Sequence, residues 1–306
     1  MEKKRNGLIE IYRFILCFWP LYYHNFFFTS KGESFSVAEL AVDFFFVLSG
    51  FFLLRAFEKK KGSVIKSTLS LMYGRVKPFM FSLCFIAAFN AVCVSLFIRE
   101  NHLNVLFELF KYWWYVLYLT VAIGVFYLFF RLLRNRKVFF VFLLLVSATM
   151  GLFHYYTEVR GLFLYELTFV ARTFGCMAFG MLVSYIPTIK KRKHNLSILG
   201  VIALVPAIFH LAYSEKNYVT CLIMIGLFAA LVYFTYNVSI GGKFFDVLGR
   251  LSTRIYLYMA FITMLYILGL TDHRILFIVD VSLAIMDLIL THYREKYLAL
   301  KAKLEK

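Results

Sequence analysis

Long apolar segments separated by short charged stretches dominate the sequence. A helix that crosses a bilayer needs about 20 mostly apolar residues. Segments of this kind are predicted at 8–28, 38–57, 76–98, 112–133, 138–154, 161–186, 197–213, 218–238, 246–269 and 274–291. A further segment at 101–110 is a candidate interfacial helix. The pattern therefore predicts an all-α, polytopic transmembrane helix bundle of about ten helices.

Basic residues concentrate in alternate connections between these segments. The basic set consists of MEKKRN, RAFEKKK, RLLRNRK, KKRKH, GGKFFDVLGR and the tail REKYLALKAKLEK. The set that is poorer in charge consists of TSKGES, RENH, HYYTEVR, SEKN and TDHR. Because Lys and Arg accumulate in cytoplasmic loops, both termini are predicted to lie in the cytoplasm. No polar linker or internal repeat interrupts the pattern, which favours a single domain over residues 1–306.

The composition excludes a soluble domain and several kinds of site. Of the 306 residues, 62% are hydrophobic and only 17% are charged, which is far more apolar than soluble domains are. The formal net charge of +17 does not indicate nucleic-acid binding, because the basic residues form short runs rather than one patch. The five cysteines lie inside apolar segments without CxxC spacing. No disulfide framework and no metal site are therefore predicted.

Two ionisable residues stand within the first apolar segment, in the stretch RFILCFWPLYYH. Arg13 and His24 are eleven positions apart, an interval over which an α-helix advances about 16 Å and makes about three turns. Both side chains thus share one helix face at different depths. One interpretation is that each side chain reaches its nearer membrane interface. The other is that both are functional, as intramembrane ionisable residues usually are.

The second apolar segment, AELAVDFFFVLSGFFLLR, returns from the outer side. In an antiparallel hairpin Asp43 comes back to about the depth of His24. A carboxylate beside an imidazole fixes its tautomer and stabilises its protonated form, as a general base requires. Glu39, one turn nearer the outside, is a substitute for this role. The alternative for Asp43 is a structural ion pair with a basic residue on another helix.

Together the two segments resemble a known family. An arginine, ten residues, a histidine and then AVDFFFVLSGFFL are similar to the first two helices of the integral-membrane acyltransferase-3 family. Members transfer an acyl group, most often acetyl, from a coenzyme A thioester to a hydroxyl of a surface glycan or related acceptor. The resemblance implies that His24 is the catalytic base, Asp43 its partner and Arg13 part of the donor site. It also implies acyl-CoA as donor substrate, no permanently bound cofactor, and residence in a bacterial plasma membrane, with polysaccharide-assembly proteins as candidate partners.

A basic motif, LMYGRVKPF, resembles the entry to the family's third helix, which carries two arginines three apart before a proline. Arg75 and the proline match, but Met72 stands at the position of the first arginine. Lys77 or Arg55 is the candidate for the missing charge. We expect Arg75, Lys77 and Arg13 to contact the phosphates of coenzyme A, because cationic side chains suit phosphate oxygens. The alternative is that they are only positive-inside anchors.

Later segments resemble the family more sparsely. KYWWYVLYL is similar to the Trp-rich start of its middle helix, and LGRLSTRIYLYMAF is similar to a late segment in which the family has a histidine where this chain has Met259. This departure keeps a catalytically degenerate member among the alternatives. Glu166 and Arg172 lie on different faces of one segment. Arg172 matches an arginine often seen in the family and would hold the acceptor, neutralise a carboxylate or form a structural ion pair.

Near the start of the ninth segment, Asp246, Arg250 and Arg254 follow at i, i+4 and i+8. This spacing indicates a stabilised helix terminus, with a lining of the donor entrance as the alternative.

These observations predict a membrane-bound O-acyltransferase that uses acyl-CoA and a glycan hydroxyl as substrates. A transporter or flippase of a glycan or lipid-linked precursor is the alternative from another class. Such a protein should show Gly- or Pro-interrupted spans in two related halves. The chain has only four prolines and no visible duplication, which favours the acyltransferase. The short outer loops do not indicate which acceptor is used.

Overall fold

A computed structural model describes the chain over residues 6–27, 36–60, 62–97, 113–160, 165–187, 194–212, 218–236 and 241–304. Within these ranges every regular element is a helix, which confirms the all-α prediction. The helices are α1 (Gly7–Phe27), α2 (Ser36–Lys59), α3 (Val64–Val76), α4 (Met80–Phe97), α5 (Trp114–Leu132), α6 (Arg136–Arg160), α7 (Tyr165–Ser184), α8 (His194–Ala212), α9 (Tyr218–Tyr236), α10 (Lys243–Ile267) and α11 (His273–Leu304).

Each of the ten predicted segments overlaps one helix. The additional helix, α3, precedes the predicted segment 76–98, and a short 3-10 helix, Lys77–Phe79, joins it to α4. Five helical stretches are long and apolar enough to cross a membrane: Val64–Phe97, Tyr115–Leu132, Arg136–Phe153, Leu167–Ser184 and His273–Leu298. Ten spans and the cytoplasmic position of both termini therefore stay predictions. The candidate interfacial helix at 101–110 lies outside the described residues.

The helices form two compact units. The first unit combines Met1–Glu33, Phe79–Trp113 and Gly241–Lys306, and it holds α1, α4, α10 and α11. Helix α10 packs against each of the other three. Every residue of α10 from Arg254 to Met264 is buried, so this helix forms the centre of the first unit.

The second unit combines Ser34–Pro78 with Trp114–Ile240. Helix α7 packs against both α2 and α6, α9 packs against α8 and α2, and α3 packs against α5. Small residues permit the close approach of α2 and α7. A Cβ atom added to Gly50 would overlap the backbone of Met177, and one added to Gly180 would overlap the backbone of Val47. Both glycines are thus required by the helix pairing and not by a turn.

Candidate functional site

The predicted site residues are distributed over both units. Arg13 and His24 belong to the first unit, whereas Asp43, Arg75 and Lys77 belong to the second. The backbone of His24 lies in α1, but its side chain is outside the described residues. The same holds for the side chains of two other candidates of the second unit, Glu39 and Glu166. Their predicted roles stay predictions.

Asp43 forms a buried ion pair with Arg172 across α2 and α7. The Nε of Arg172 donates to Oδ1 of Asp43 at 3.0 Å, and the two side chains are only 4% and 8% exposed. The thiol of Cys176 donates to the same oxygen at 3.7 Å. The contact with a basic residue on another helix, which the sequence left as an alternative, is therefore present. Both described contacts fall on Oδ1, which leaves Oδ2 as an acceptor for a further donor.

Helical periodicity places this cluster at the α2–α7 interface. On α7 Arg172, Cys176 and Gly180 follow at i, i+4 and i+8 and form one stripe along the helix. On α2 Asp43 and Val47 are likewise one turn apart, and Val47 meets the backbone of α7 at Gly180. The ion pair and the close backbone contact therefore belong to one interface. The tight packing excludes water and strengthens the attraction between Asp43 and Arg172.

Arg13 is held at the α1–α10 interface of the first unit. One terminal nitrogen of Arg13 donates to Glu10 Oε2 at 2.9 Å and the other donates to Thr253 Oγ1 at 2.9 Å. Thr253 in turn donates to the carbonyl of Gly249 at 3.3 Å. The side chain of Arg13 remains 25% exposed. Its position is thus fixed by two hydrogen bonds, and Glu10 neutralises part of the charge that a phosphate would require.

Gly249 makes room for the Glu10 side chain. A Cβ atom at position 249 would overlap the Glu10 carboxylate, which is only 6% exposed as a residue. The absence of a side chain at Gly249 therefore allows Glu10 to lie against α10 and pair with Arg13. Gly249 belongs to the LGR segment that resembles the family, and its contact with Glu10 explains why a glycine is needed there.

The remaining donor-site candidates lie where α3 ends. Arg75 and Lys77 are both exposed, and the Lys77 ammonium lies 5.9 Å from the centre of the Tyr73 ring. Neither side chain is buried against a neighbouring helix of the described chain, and both lie within the candidate span Val64–Phe97. Met72, at the position of the family's missing arginine, packs with its sulfur against Gly124 of α5. An apolar helix contact replaces the charge there.

Comparison with known proteins gives one match. The sequence model of the acyltransferase-3 family, described as an acyltransferase domain, matches residues 7–290. The chain belongs to the acyltransferase-3 family. The assignment supports a membrane-associated acyltransferase, and the match covers α1 to most of α11. No curated protein and no solved structure matches the chain.

This acyltransferase-3 protein also contains a buried polar cluster that the sequence did not predict. Asp287 of α11 accepts hydrogen bonds from Ser82 of α4 at 2.5 Å and from Thr291 at 3.2 Å. Arg254 of α10 lies 3.4 Å away from Asp287 Oδ2 and forms an ion pair with it. Ser82, Arg254 and Asp287 are all less than 5% exposed. Asp287 therefore joins α11 to α4 through Ser82 and to α10 through Arg254.

A second carboxylate lies two turns along the same helix. Asp280 is completely buried, and neither of its oxygens has a hydrogen-bond partner among the described residues of the acyltransferase-3 chain. It lies close enough to Cys17 of α1 and Tyr258 of α10 to interact with both electrostatically. The signal in the sequence was the pair of aspartates in DVSLAIMDLIL, seven residues apart in an apolar segment, which places both on one face.

Proposed function

We propose that this acyltransferase transfers an acyl group, in the first instance acetyl, from cytoplasmic acyl-CoA to a hydroxyl of a surface or exported glycan. The observation that carries the proposal is the family match over residues 7–290. It is supported by the Arg13–His24 spacing and the AVDFFFVLSGFFL motif. The site of action is the plasma membrane of a bacterium, where a multi-pass enzyme can meet acyl-CoA on one side and an exported glycan on the other.

In the proposed reaction His24 is the general base. It takes the proton of the acceptor hydroxyl while the hydroxyl oxygen attacks the thioester carbonyl carbon. A C–O bond forms, the C–S bond breaks, and the proton held by the imidazolium passes to the departing thiolate of coenzyme A. The products are an acyl ester and free coenzyme A, so that atoms and charge balance without a further reactant. An acyl-histidine intermediate would use the same residues.

Asp43 is proposed to orient His24 and stabilise the imidazolium. Its ion pair with Arg172 is compatible with this role, because both described contacts use Oδ1. A carboxylate has two oxygens and about four lone-pair sites, so Oδ2 can accept from an imidazole N–H. Arg172 would then hold the Asp43 carboxylate in place. Under this proposal Arg172 is a positioning residue, and its alternative role is to hold the acceptor.

The donor is proposed to dock from the cytoplasm with its phosphates on Arg13, Arg75 and Lys77. Arg75 and Lys77 are exposed, and guanidinium and ammonium groups suit phosphate oxygens. Glu10 already pairs with Arg13, so a phosphate there must share or displace that carboxylate. The pantetheine arm would follow the face of α1 between Arg13 and His24, which is about 16 Å long.

The decisive experiment compares two histidine variants of the purified, full-length chain. Release of coenzyme A and labelled acyl transfer to a glycan acceptor are measured for His24→Ala and for His292→Ala, which removes a histidine near the end of α11. Loss of a general base should lower turnover about 10²- to 10⁴-fold. His292→Ala should retain full turnover. Unchanged acyl transfer by a well-folded His24→Ala protein would show that His24 is not the base.

A catalytically degenerate member is favoured by one observation. Met259 stands at the position of the family's late histidine, and its side chain is buried in the run of α10 from Arg254 to Met264. A degenerate scaffold would bind labelled acyl-CoA without turning it over, whereas a transporter or flippase would do neither. Mass spectrometry of surface polysaccharide, with and without the protein, identifies the acceptor if the enzyme is active.

A further inference from the structure

A basic cavity lies between α3, α5 and α6 of the second unit. Its volume is about 350 Å³, within the range of small-ligand pockets. The charged part of its lining is formed by Arg131, Arg134 and Arg136, and the apolar part includes Phe130 and Phe139. These two rings meet edge to face with their centres 5.3 Å apart. The cavity thus combines three guanidinium groups with an apolar floor, and none of these residues belongs to the proposed catalytic machinery.

The cavity lies at the ends of two candidate membrane spans. The stretch Tyr115–Leu132 ends beside Arg131, and the stretch Arg136–Phe153 begins with Arg136. The connection between them carries the basic run RLLRNRK, which is predicted to be cytoplasmic. From the length and composition of these two stretches, the three arginines are expected where the hydrocarbon ends, at the depth of the lipid headgroups.

Two of the arginines are held in place by the protein. Arg131 donates to the carbonyl of Gly62 at 3.0 Å and to that of Lys60 at 3.4 Å. Arg136 lies 3.0 Å from Glu58 but remains 71% exposed. The two carbonyl groups hold the Arg131 guanidinium, and Glu58 offsets one of the three positive charges, so the cavity keeps a net positive charge.

Arg134 is the third arginine, and its backbone has an unusual conformation. Its φ of 46° lies in the left-handed region, which residues other than glycine, asparagine and aspartate adopt rarely. The amide of Asn135 bonds to the carbonyl of Leu133 across it. The Arg134 side chain is exposed and has no partner among the described residues. The connection thus presents one uncommitted guanidinium at the cavity.

The amino terminus of α3 adds a further attraction for anions. Val64, the first residue of α3, lines the cavity. In the described part of the chain, no side chain caps this end of the helix. The first amide groups of a helix have no acceptor within it, and they carry the positive end of the helix dipole. Together with the arginines they indicate a phosphate as the ligand.

Apolar side chains beside the cavity indicate the source of that phosphate. Ile65, Leu132 and Val138 each follow or precede a lining residue in the sequence, and they are 71%, 72% and 47% exposed. At the end of a membrane span such side chains face lipid chains. A soluble nucleotide would leave them uncovered, whereas a phospholipid covers them with its acyl chains while its phosphate meets the arginines. Basic pockets between helices on the cytoplasmic side bind anionic lipid headgroups in this way.

We propose that this cavity binds the headgroup phosphate of an anionic phospholipid, with Arg134 as its principal ligand and Arg131 and Arg136 in support. The site is distinct from the proposed catalytic residues, and it does not depend on the acyltransferase reaction. Lipid bound there would tie α3, α5 and α6 together at the cytoplasmic edge of the second unit.

The test uses the delipidated full-length chain in detergent. Native mass spectrometry measures retention of phosphatidylglycerol and of phosphatidylcholine, and the thermal unfolding midpoint is recorded with each lipid, with coenzyme A and with inorganic phosphate. Arg134→Asn removes the charge and places a residue that tolerates positive φ. Arg294→Asn makes the same change at an exposed position of α11, outside the cavity.

The wild-type chain and Arg294→Asn should retain phosphatidylglycerol in preference to phosphatidylcholine. Arg134→Asn should weaken phosphatidylglycerol binding about fivefold, and Arg134→Lys should recover most of it. Equal retention of the two lipids, or equal losses in Arg134→Asn and Arg294→Asn, would overturn the proposal. Coenzyme A or inorganic phosphate binding that depends on Arg134, without lipid selectivity, would also overturn it and would assign the cavity to a soluble phosphate. If Arg134→Asn does not fold, Arg136→Gln replaces it.

Discussion

The Nε atom of Arg172 lies 3.0 Å from the Oδ1 atom of Asp43, and both side chains are buried between α2 and α7. Each charge depends on the other, because an isolated charge in this environment would be strongly unfavourable. The carboxylate that is predicted to lie beside His24 is therefore part of the α2–α7 interface of the second unit. Structural and catalytic roles of Asp43 can be separated by experiment.

Removing either member of this pair should destabilise the protein. We expect Asp43→Asn or Arg172→Gln to lower the free energy of unfolding by about 3–5 kcal/mol, because the remaining partner is left buried and unpaired. The double variant Asp43→Leu with Arg172→Met should recover much of this loss. Unfolding in detergent micelles measures the stability, and acyl-CoA turnover is followed in parallel. Recovery of stability without turnover supports a catalytic role for the Asp43–Arg172 pair, whereas recovery of both shows that turnover needs neither side chain.

Gly249→Ala should disturb the Arg13 cluster. The added methyl group overlaps the Glu10 carboxylate and must displace it from Arg13, at a cost of about 1–3 kcal/mol. The double variant with Glu10→Ala removes the overlap and serves as the control. If Arg13 binds the donor, the Michaelis constant for acyl-CoA should change in Gly249→Ala, whereas turnover at saturation should change less. Additive effects of the two substitutions on stability would contradict the contact.

Gly180→Ala should weaken the packing of α7 on α2. Its methyl group would meet the backbone of Val47, which cannot move aside as a flexible side chain can, and overpacking of this kind costs about 1–3 kcal/mol. Gly226→Ala in α9 is the matched control, since an added Cβ there meets no described atom within 4 Å. That change should be neutral or stabilising, because alanine favours a helix over glycine. Equal unfolding midpoints for the two variants would argue against the close α2–α7 contact.

The two aspartates of α11 should respond oppositely to the same substitution. Asp287→Asn weakens an ion pair and a hydrogen-bond network, and we expect it to destabilise the protein by about 3 kcal/mol. Asp280→Asn replaces a buried carboxylate that has no described hydrogen-bond partner, and it should be neutral or stabilising. Unfolding free energies measured under one condition compare the two variants directly. A large loss of stability in Asp280→Asn would reveal a partner for that carboxylate.

The positions of the helices could be predicted from the sequence, because apolar length is a local property of the chain. All ten apolar segments coincide with helices, whereas α3 was missed because its polar residues break the apolar run. The family could also be predicted, since the arginine, the histidine and the AVDFFFVLSGFFL motif are contiguous features of α1 and α2. For Asp43 the sequence left two alternatives open, a contact with His24 and an ion pair with a basic residue on another helix.

By itself, then, the sequence determined an all-helical membrane acyltransferase and a short list of ionisable residues within its helices. Only the tertiary structure decided which of these residues meet. Arg172 and Asp43 are 129 positions apart, Ser82 and Asp287 are 205 apart, and Arg13 and Thr253 are 240 apart. Periodicity gives the face and approximate depth of a side chain, but the neighbouring helix depends on how the whole bundle packs. The role of Gly249 could not be predicted for the same reason. A side chain at this position is excluded by the Glu10 carboxylate, and that contact exists only in the tertiary structure.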